Sequence, residues 1–183
     1  MMDADRFWQL IDQSRQKAKK HKPANGDEFL DRQMEELTAL LHKLPPEEIV
    51  AFKHRFAQCC NEAYRWDLWA AAYWLHGGCG DDGFIDFRST LVSLGQEMFE
   101  QVLADPDSLA DLVDRPDVPY LQGEGFQYVA PRVYKAKTGQ EYRPDDEPLG
   151  PPKPKGRRID HDDDEVMRRL FPKLVAKYPE MGD

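Results

Sequence analysis

Three tryptophans, four aspartates, a histidine and a cysteine fall within the stretch Tyr64 to Arg88, YRWDLWAAAYWLHGGCGDDGFIDFR. Asp82 and Asp86 stand four residues apart, so on a helix their carboxylates share a face, and two such oxygen donors are a start on a Mg²⁺ or Ca²⁺ site. An EF-hand loop does not fit. Setting Gly83 at the loop's sixth position puts Gly78 and Gly80 where acidic ligands belong and Ser89 where the bidentate glutamate belongs. The plainer reading is that Asp81 or Asp82 caps a helix and adds favourable charge to its first turn. No metal or other cofactor is therefore expected, with Asp82 and Asp86 as the secondary candidates for a divalent cation.

His76 and Cys79 offer half a zinc site, but a straight helix would hold Cys60 roughly 24 Å from His76. As a nucleophile, Cys79 has His76 as a nearby base, while Asp81 and Asp82 repel a thiolate. A cysteine filling a tight glycine turn accounts for it more simply. Asp67 has Ala63, Tyr64, Ala70 and Ala71 as helical neighbours, a small-residue face on which a carboxylate needs a partner, and Arg88 or Arg55 is the expected one. Trp66, Trp69, Tyr73 and His76 recur at three, four and three, an aromatic stripe that serves either the core or a ligand pocket. The candidate ligand-binding set is thus Trp66, Asp67, Trp69, Tyr73, His76, Cys79, Asp81, Asp82, Asp86 and Arg88; no catalytic residue is identified.

These residues must be positioned by helices. Asp3 or Asp5 caps a first helix with Phe7, Trp8, Leu10 and Ile11 on one face. A second, from about Asp27, carries Leu30, Met34, Leu37, Leu41 and Leu44 as one stripe. Pro46 with Glu47 and Glu48 opens a third, which runs on to Leu75 with a kink expected near Arg65 to Asp67. After Gly77-Gly78 a fourth helix carries Phe84, Phe87, Leu91, Leu94, Met98 and Val102 and stops at Asp105-Pro106. Short helices follow over Ser108 to Val113 and Phe126 to Lys137, separated by a loop over 117–125. The spacing predicts a last helix over Asp163 to Tyr178, interrupted at Pro172. The fold class is all-α, a single-domain helical bundle around a long aromatic-rich helix. Its expected parts are a helical core over 1–141, a Pro-rich charged arm over 142–160 and a C-terminal helix over 161–183 packing on the core.

Composition limits the functions. The net charge of −9 over 183 residues argues against nonspecific binding to nucleic acid or anionic membrane. The basic runs Arg15 to Lys22 and Lys153 to Arg158 carry no interleaved aromatics for base stacking. No apolar run reaches the roughly 20 residues of a bilayer span, and no signal-peptide core opens the chain. Three cysteines do not suggest a disulfide framework, so a cytoplasmic setting is expected.

The opening DADRFWQLID, the central AYRWDLWAAAYWLHGGCGDDGFIDFR with LVSLGQEMFE after it, ADPDSLADL, VYKAKTG and RRLFPKLVAKY together resemble the bacterial domain-of-unknown-function family 4240 (DUF4240). Gly80 departs from the serine that the resemblance would place there, which removes one hydroxyl from the turn. The resemblance implies a small soluble bacterial protein and brings no activity with it. The expected function is a noncatalytic binding or regulatory module for another protein or a small molecule. The alternative is a metal-assisted hydrolase or transferase using Asp81, Asp82, Asp86 and His76, which requires those side chains to converge on a cleft. A third class, nucleic-acid binding through Lys153 to Arg158, requires a steep salt dependence. Oligomeric state has no sequence signal.

Overall fold

A computed structural model describes residues 2–143 and 150–179. Among the described residues the fold is all-α: ten α-helices, two short 3-10 turns and no strand. The first two helices form where their caps place them. At α1 (Ala4–Lys20) the Asp3 carboxylate accepts the backbone N–H groups of Asp5 and Arg6. At α2 (Gly26–Leu41) Asn25 accepts the N–H of Glu28, whose own carboxylate reaches back to the Ala24 N–H at 2.8 Å. Such reciprocal satisfaction of orphan donors typically contributes about 1 kcal/mol. Gly26 is required by a close approach, because a Cβ there would strike the backbone of Val118.

The expected apolar faces are the buried ones. Phe7, Trp8, Leu10 and Ile11 of α1 and Leu30, Leu37 and Leu41 of α2 enter one core, with Leu44 after α2. The two helices pack along each other, and α8 (Val129–Thr138) closes over α2 and α3 (Pro46–Glu62). Fully burying each such side chain is worth about 1.5–3 kcal/mol.

Two helices expected to be continuous are broken. The third pattern stops at Glu62 and resumes as α4 (Trp66–His76). Arg65 between them is extended, with φ −138° and ψ 146°, and pairs as an isolated parallel bridge with Lys155. Trp66 N–H donates to the Lys155 carbonyl at 3.0 Å, and Lys155 N–H donates to the Tyr64 carbonyl at 2.9 Å. The expected kink is therefore a full break, held open by a distant segment. The fourth pattern likewise divides into α5 (Asp81–Ser93) and α6 (Gln96–Ala104) at Gly95, whose φ of +88° suits glycine alone.

α4 lies inside the bundle on one side: Leu68, Ala70, Ala71, Ala72, Trp74 and Leu75 are buried, and Gly77 in the left-handed region ends the helix. After the 3-10 turn Pro106–Ser108 and α7 (Leu109–Leu112), the chain reaches α8 through the loop at 113–125 and the second 3-10 turn, Phe126–Tyr128. Of the expected arm over 142–160, residues 144–149 lie outside the described residues. Residues 150–160 are mostly exposed, with Pro154 buried beside the Lys155 bridge.

The C-terminal segment forms α9 (Asp164–Leu170) and α10 (Pro172–Lys177), divided at Pro172 as expected. It packs on the core through Met167, Phe171, Leu174 and Val175. The buried Asp107 carboxylate, 66 residues away, accepts the N–H groups of Lys173 at 3.0 Å and Leu174 at 2.9 Å, so one helix is capped by a side chain from another. Trp74 adds an indole N–H to the Tyr178 carbonyl at 3.1 Å.

Candidate functional site

The tryptophans of α4 are stacked, not merely adjacent in sequence. Trp66 and Trp69 lie 5.4 Å apart between centroids at 11°, and Trp69 and Phe84 lie 4.7 Å apart at 14°. Trp69 is fixed by an indole hydrogen bond to the Cys79 carbonyl at 2.8 Å. The stack therefore runs from fully buried Phe84 outward to half-buried Trp66, at the first turn of α4. The expected stripe lies on the half-buried side of α4 and is covered in part by the chain's own later segment. The Arg158 guanidinium sits 5.7 Å over the Trp66 ring, and the His161 ring lies 3.8 Å from that of Tyr73.

Asp67 finds a partner other than the expected Arg88 or Arg55. Its carboxylate is held by Arg65, two residues earlier, through Nε at 3.0 Å and through Nη2, and also accepts the Leu68 N–H at 2.8 Å. Arg65 Nη1 donates to the Leu103 carbonyl at 2.6 Å. The helix-initiating carboxylate of α4 thus binds the arginine that the chain break turned outward. Arg88 instead ties α5 to the end of α3. It donates to the Cys60 carbonyl at 3.1 Å and lies 4.5 Å over the Tyr64 ring. Arg55 donates to the Met2 carbonyl at 3.2 Å.

The acidic turn does not converge with these groups. Gly80 occupies the N-cap of α5 and no side chain caps that helix, so Asp81 and Asp82 are exposed first-turn residues contributing charge, not the expected cap. Asp86 accepts from Gln127 at 3.1 Å, and burial, then the charges of Glu124 and Asp82, raise its carboxyl above the usual range. His76 turns inward, with both ring nitrogens buried and without a hydrogen-bond partner and its ring 4.7 Å from that of Tyr120. Burial pushes its pKa down to about 4, so it is neutral at pH 7. Cys79 is buried and accepts from Gln122 Nε2 at 3.4 Å; burial pushes its thiol up to about 11, against the smaller opposing effect of that bond. A thiol so raised is a poor nucleophile at neutral pH. Among the described residues, no three His, Cys, Asp or Glu side chains are grouped as a metal's ligand set.

What the break at Arg65 does create is a cleft of about 550 Å³. One wall is the Arg65–Asp67 corner, another the segment Lys155 to Asp160, and a third the α9 residues Val166, Arg169 and Leu170. Five of its residues are cationic (Arg65, Lys155, Arg157, Arg158 and Arg169) and two acidic (Asp67 and Asp160), within a chain whose net charge is −9. Asp67 neutralises Arg65; among the described residues, none of the other four cations is in an ion pair. Ile159, Val166 and Leu170 give the cleft an apolar side.

Of the sequence candidates, only Asp67 lines this cleft; Trp66 lies beneath the lining residue Arg158, whereas Trp69, Tyr73, His76, Cys79, Asp81, Asp82, Asp86 and Arg88 are not in its lining. Sequence reasoning noticed the basic run at 153–158 but not its junction with Arg65 and Arg169. The one available signal was the density of the run KPKGRR in an acidic chain.

A family model described as a protein of unknown function (DUF4240) matches residues 2–136. The α4–α5 signature and the Arg65–Asp67 corner fall inside the matched region, while the segment 155–170 lies beyond it. No curated protein and no solved structure matches the chain. Among the described residues, no helix is long and apolar enough to cross a membrane.

Proposed function

We propose that this chain, which belongs to the DUF4240 family of proteins of unknown function, is a noncatalytic cytoplasmic binding module whose ligand is an anion held in the cationic cleft. The observation that carries this reading is the set of Lys155, Arg157, Arg158 and Arg169 around one concavity without carboxylate partners among the described residues. Mutual repulsion of four cations is a cost that an anion relieves, and guanidinium groups suit phosphate or carboxylate oxygens through paired N–H donors. The cleft's size suits a small ligand or the tip of an acidic partner segment. That none of the three cysteines is in a disulfide accords with a reducing compartment.

The metal-assisted reading has less behind it. Asp81 and Asp82 are exposed, Asp86 is engaged with Gln127, and none of them shares the cleft. The test is calorimetric titration with inorganic pyrophosphate at low salt. Binding that weakens as salt rises, and that falls on the order of tenfold in Arg157→Glu and Arg169→Glu, is the expected result; absence of heat with pyrophosphate at low salt would end the proposal.

A further inference from the structure

Trp66 lies beside the cleft rather than in its lining, between the lining residues Arg65 and Asp67 and beneath the lining residue Arg158. Its inner face is committed to Trp69, and the Trp69–Phe84 contact fixes that stack from below, so the Trp66 plane is held by the core. The guanidinium of Arg158 lies over the Trp66 ring, on an exposed side chain with no hydrogen bond or ion pair to any described residue. An indole held by the core and covered by an exposed cation without an ion pair is a stacking platform whose cover can be displaced, because a guanidinium and a flat heteroaromatic ring occupy the same position over a π face. The neighbouring cations Lys155, Arg157 and Arg169 then suit the group attached to that ring.

We infer that the cleft is a mononucleotide site: the base stacks on the outer face of Trp66 in place of Arg158, and the phosphates lie among Lys155, Arg157, Arg158 and Arg169. This rests on the anion-binding reading of the same cleft. A single nucleotide is favoured over an extended strand because the volume of about 550 Å³ suits one. The chain's net charge of −9 also opposes a polyanion running beyond the cleft. The basic run at 153–158 contains no aromatic of its own; the fold supplies one from α4.

The experiment compares ADP, inorganic pyrophosphate and a single-stranded oligonucleotide by calorimetry and tryptophan fluorescence, on the whole chain. The expected result is that ADP binds on the order of tenfold more tightly than pyrophosphate and quenches fluorescence, as a base stacked on an aromatic ring does. Trp66→Leu should bring ADP down to the pyrophosphate level while leaving pyrophosphate unchanged, and Trp66→Phe should restore most of the difference. Arg158→Ala, an exposed change that leaves the stack intact, should weaken pyrophosphate more than ADP, because it removes one phosphate contact from both but also uncovers the Trp66 ring for the base; a loss confined to ADP would count against the stacking. Equal binding of ADP and pyrophosphate would overturn the nucleotide assignment and leave the anion site standing. Oligonucleotide binding tighter than ADP would also overturn it, in favour of a strand. Failure of all three ligands to bind would remove the anion site itself.

Discussion

In one part of the molecule Arg15, Lys19 and Arg115 close on the carboxylate of Asp117, at 3.1, 2.9 and 3.1 Å. In another, Lys155, Arg157, Arg158 and Arg169 border a cleft and, among the described residues, none of them is in an ion pair. Both regions concentrate positive charge, yet only the first is finished. Arg15, with 6% of its side chain exposed, donates also to the Ser93 and Asp117 carbonyls, and Gln33 adds a second donor to Ser93. Those bonds serve the carbonyl end of α5 just where Gly95 turns the chain, so the cluster is a joint between helices. These four cleft cations are exposed, and none ties down a helix end as Arg15 does. A buried carboxylate and guanidinium that satisfy each other mark structure, whereas exposed cations without an ion pair mark a site for something else.

Breaking the finished cluster should have the largest effect. Arg15→Ala leaves the Asp117 carbonyl and part of its carboxylate unserved and the Ser93 carbonyl with Gln33 alone, and should cost about 3–5 kcal/mol in urea unfolding without altering anion binding in the protein that remains folded. Acid should reveal the same cluster. Burial by itself would raise the Asp117 carboxyl, but hydrogen bonds from Lys19 and Arg115 and the charge of Arg15 hold it at about 2. Because the folded pKa lies below the ordinary 3.8, its contribution, about 2 kcal/mol, is intact above pH 4 and lost as pH falls toward 2.

His76 adds a separate window. Its folded pKa of about 4 lies below the ordinary 6.5, so the unfolded chain takes up its proton first and stability falls between pH 6.5 and 4. Unfolding measured across pH should show both windows, and His76→Phe should abolish only the upper one.

Asp107 connects the comparison to the cleft. Asp107→Ala removes two N–H acceptors from the start of α10 and should cost about 1–2 kcal/mol. Because α9 and α10 carry Arg169 to the cleft, anion affinity should fall as well; hydrogen exchange that stays slow in Lys173 and Leu174 would contradict this link. The smallest effect on stability is expected from Arg169→Glu, within about 0.5 kcal/mol by urea unfolding, even as pyrophosphate affinity drops on the order of tenfold. A stability loss there comparable to that of Arg15→Ala would erase the distinction between the two regions.

Chemistry local to the chain determined most of the fold. Asp3, Asn25 and Asp163 cap helices, Pro46 begins one, Gly77 and Gly139 end two, and periodic apolar residues are the buried ones. These rules act over a turn or two of helix, so they can be read from a sequence. The same rules over-extended two helices, because a periodic pattern continues smoothly through Arg65 and Gly95 while the backbone does not. Of the site, the sequence marked the Trp66–Asp67 corner and the basic run separately.

Only tertiary structure joined them, through the bridge from Arg65 to Lys155. It also gave Asp67 to Arg65 rather than Arg88, turned His76 inward, left Asp81 and Asp82 exposed, and brought Asp107 to a helix 66 residues away. Periodicity reports which face of a helix is apolar; which distant backbone or charge meets that face depends on how all the helices pack together, and a local pattern carries no record of that.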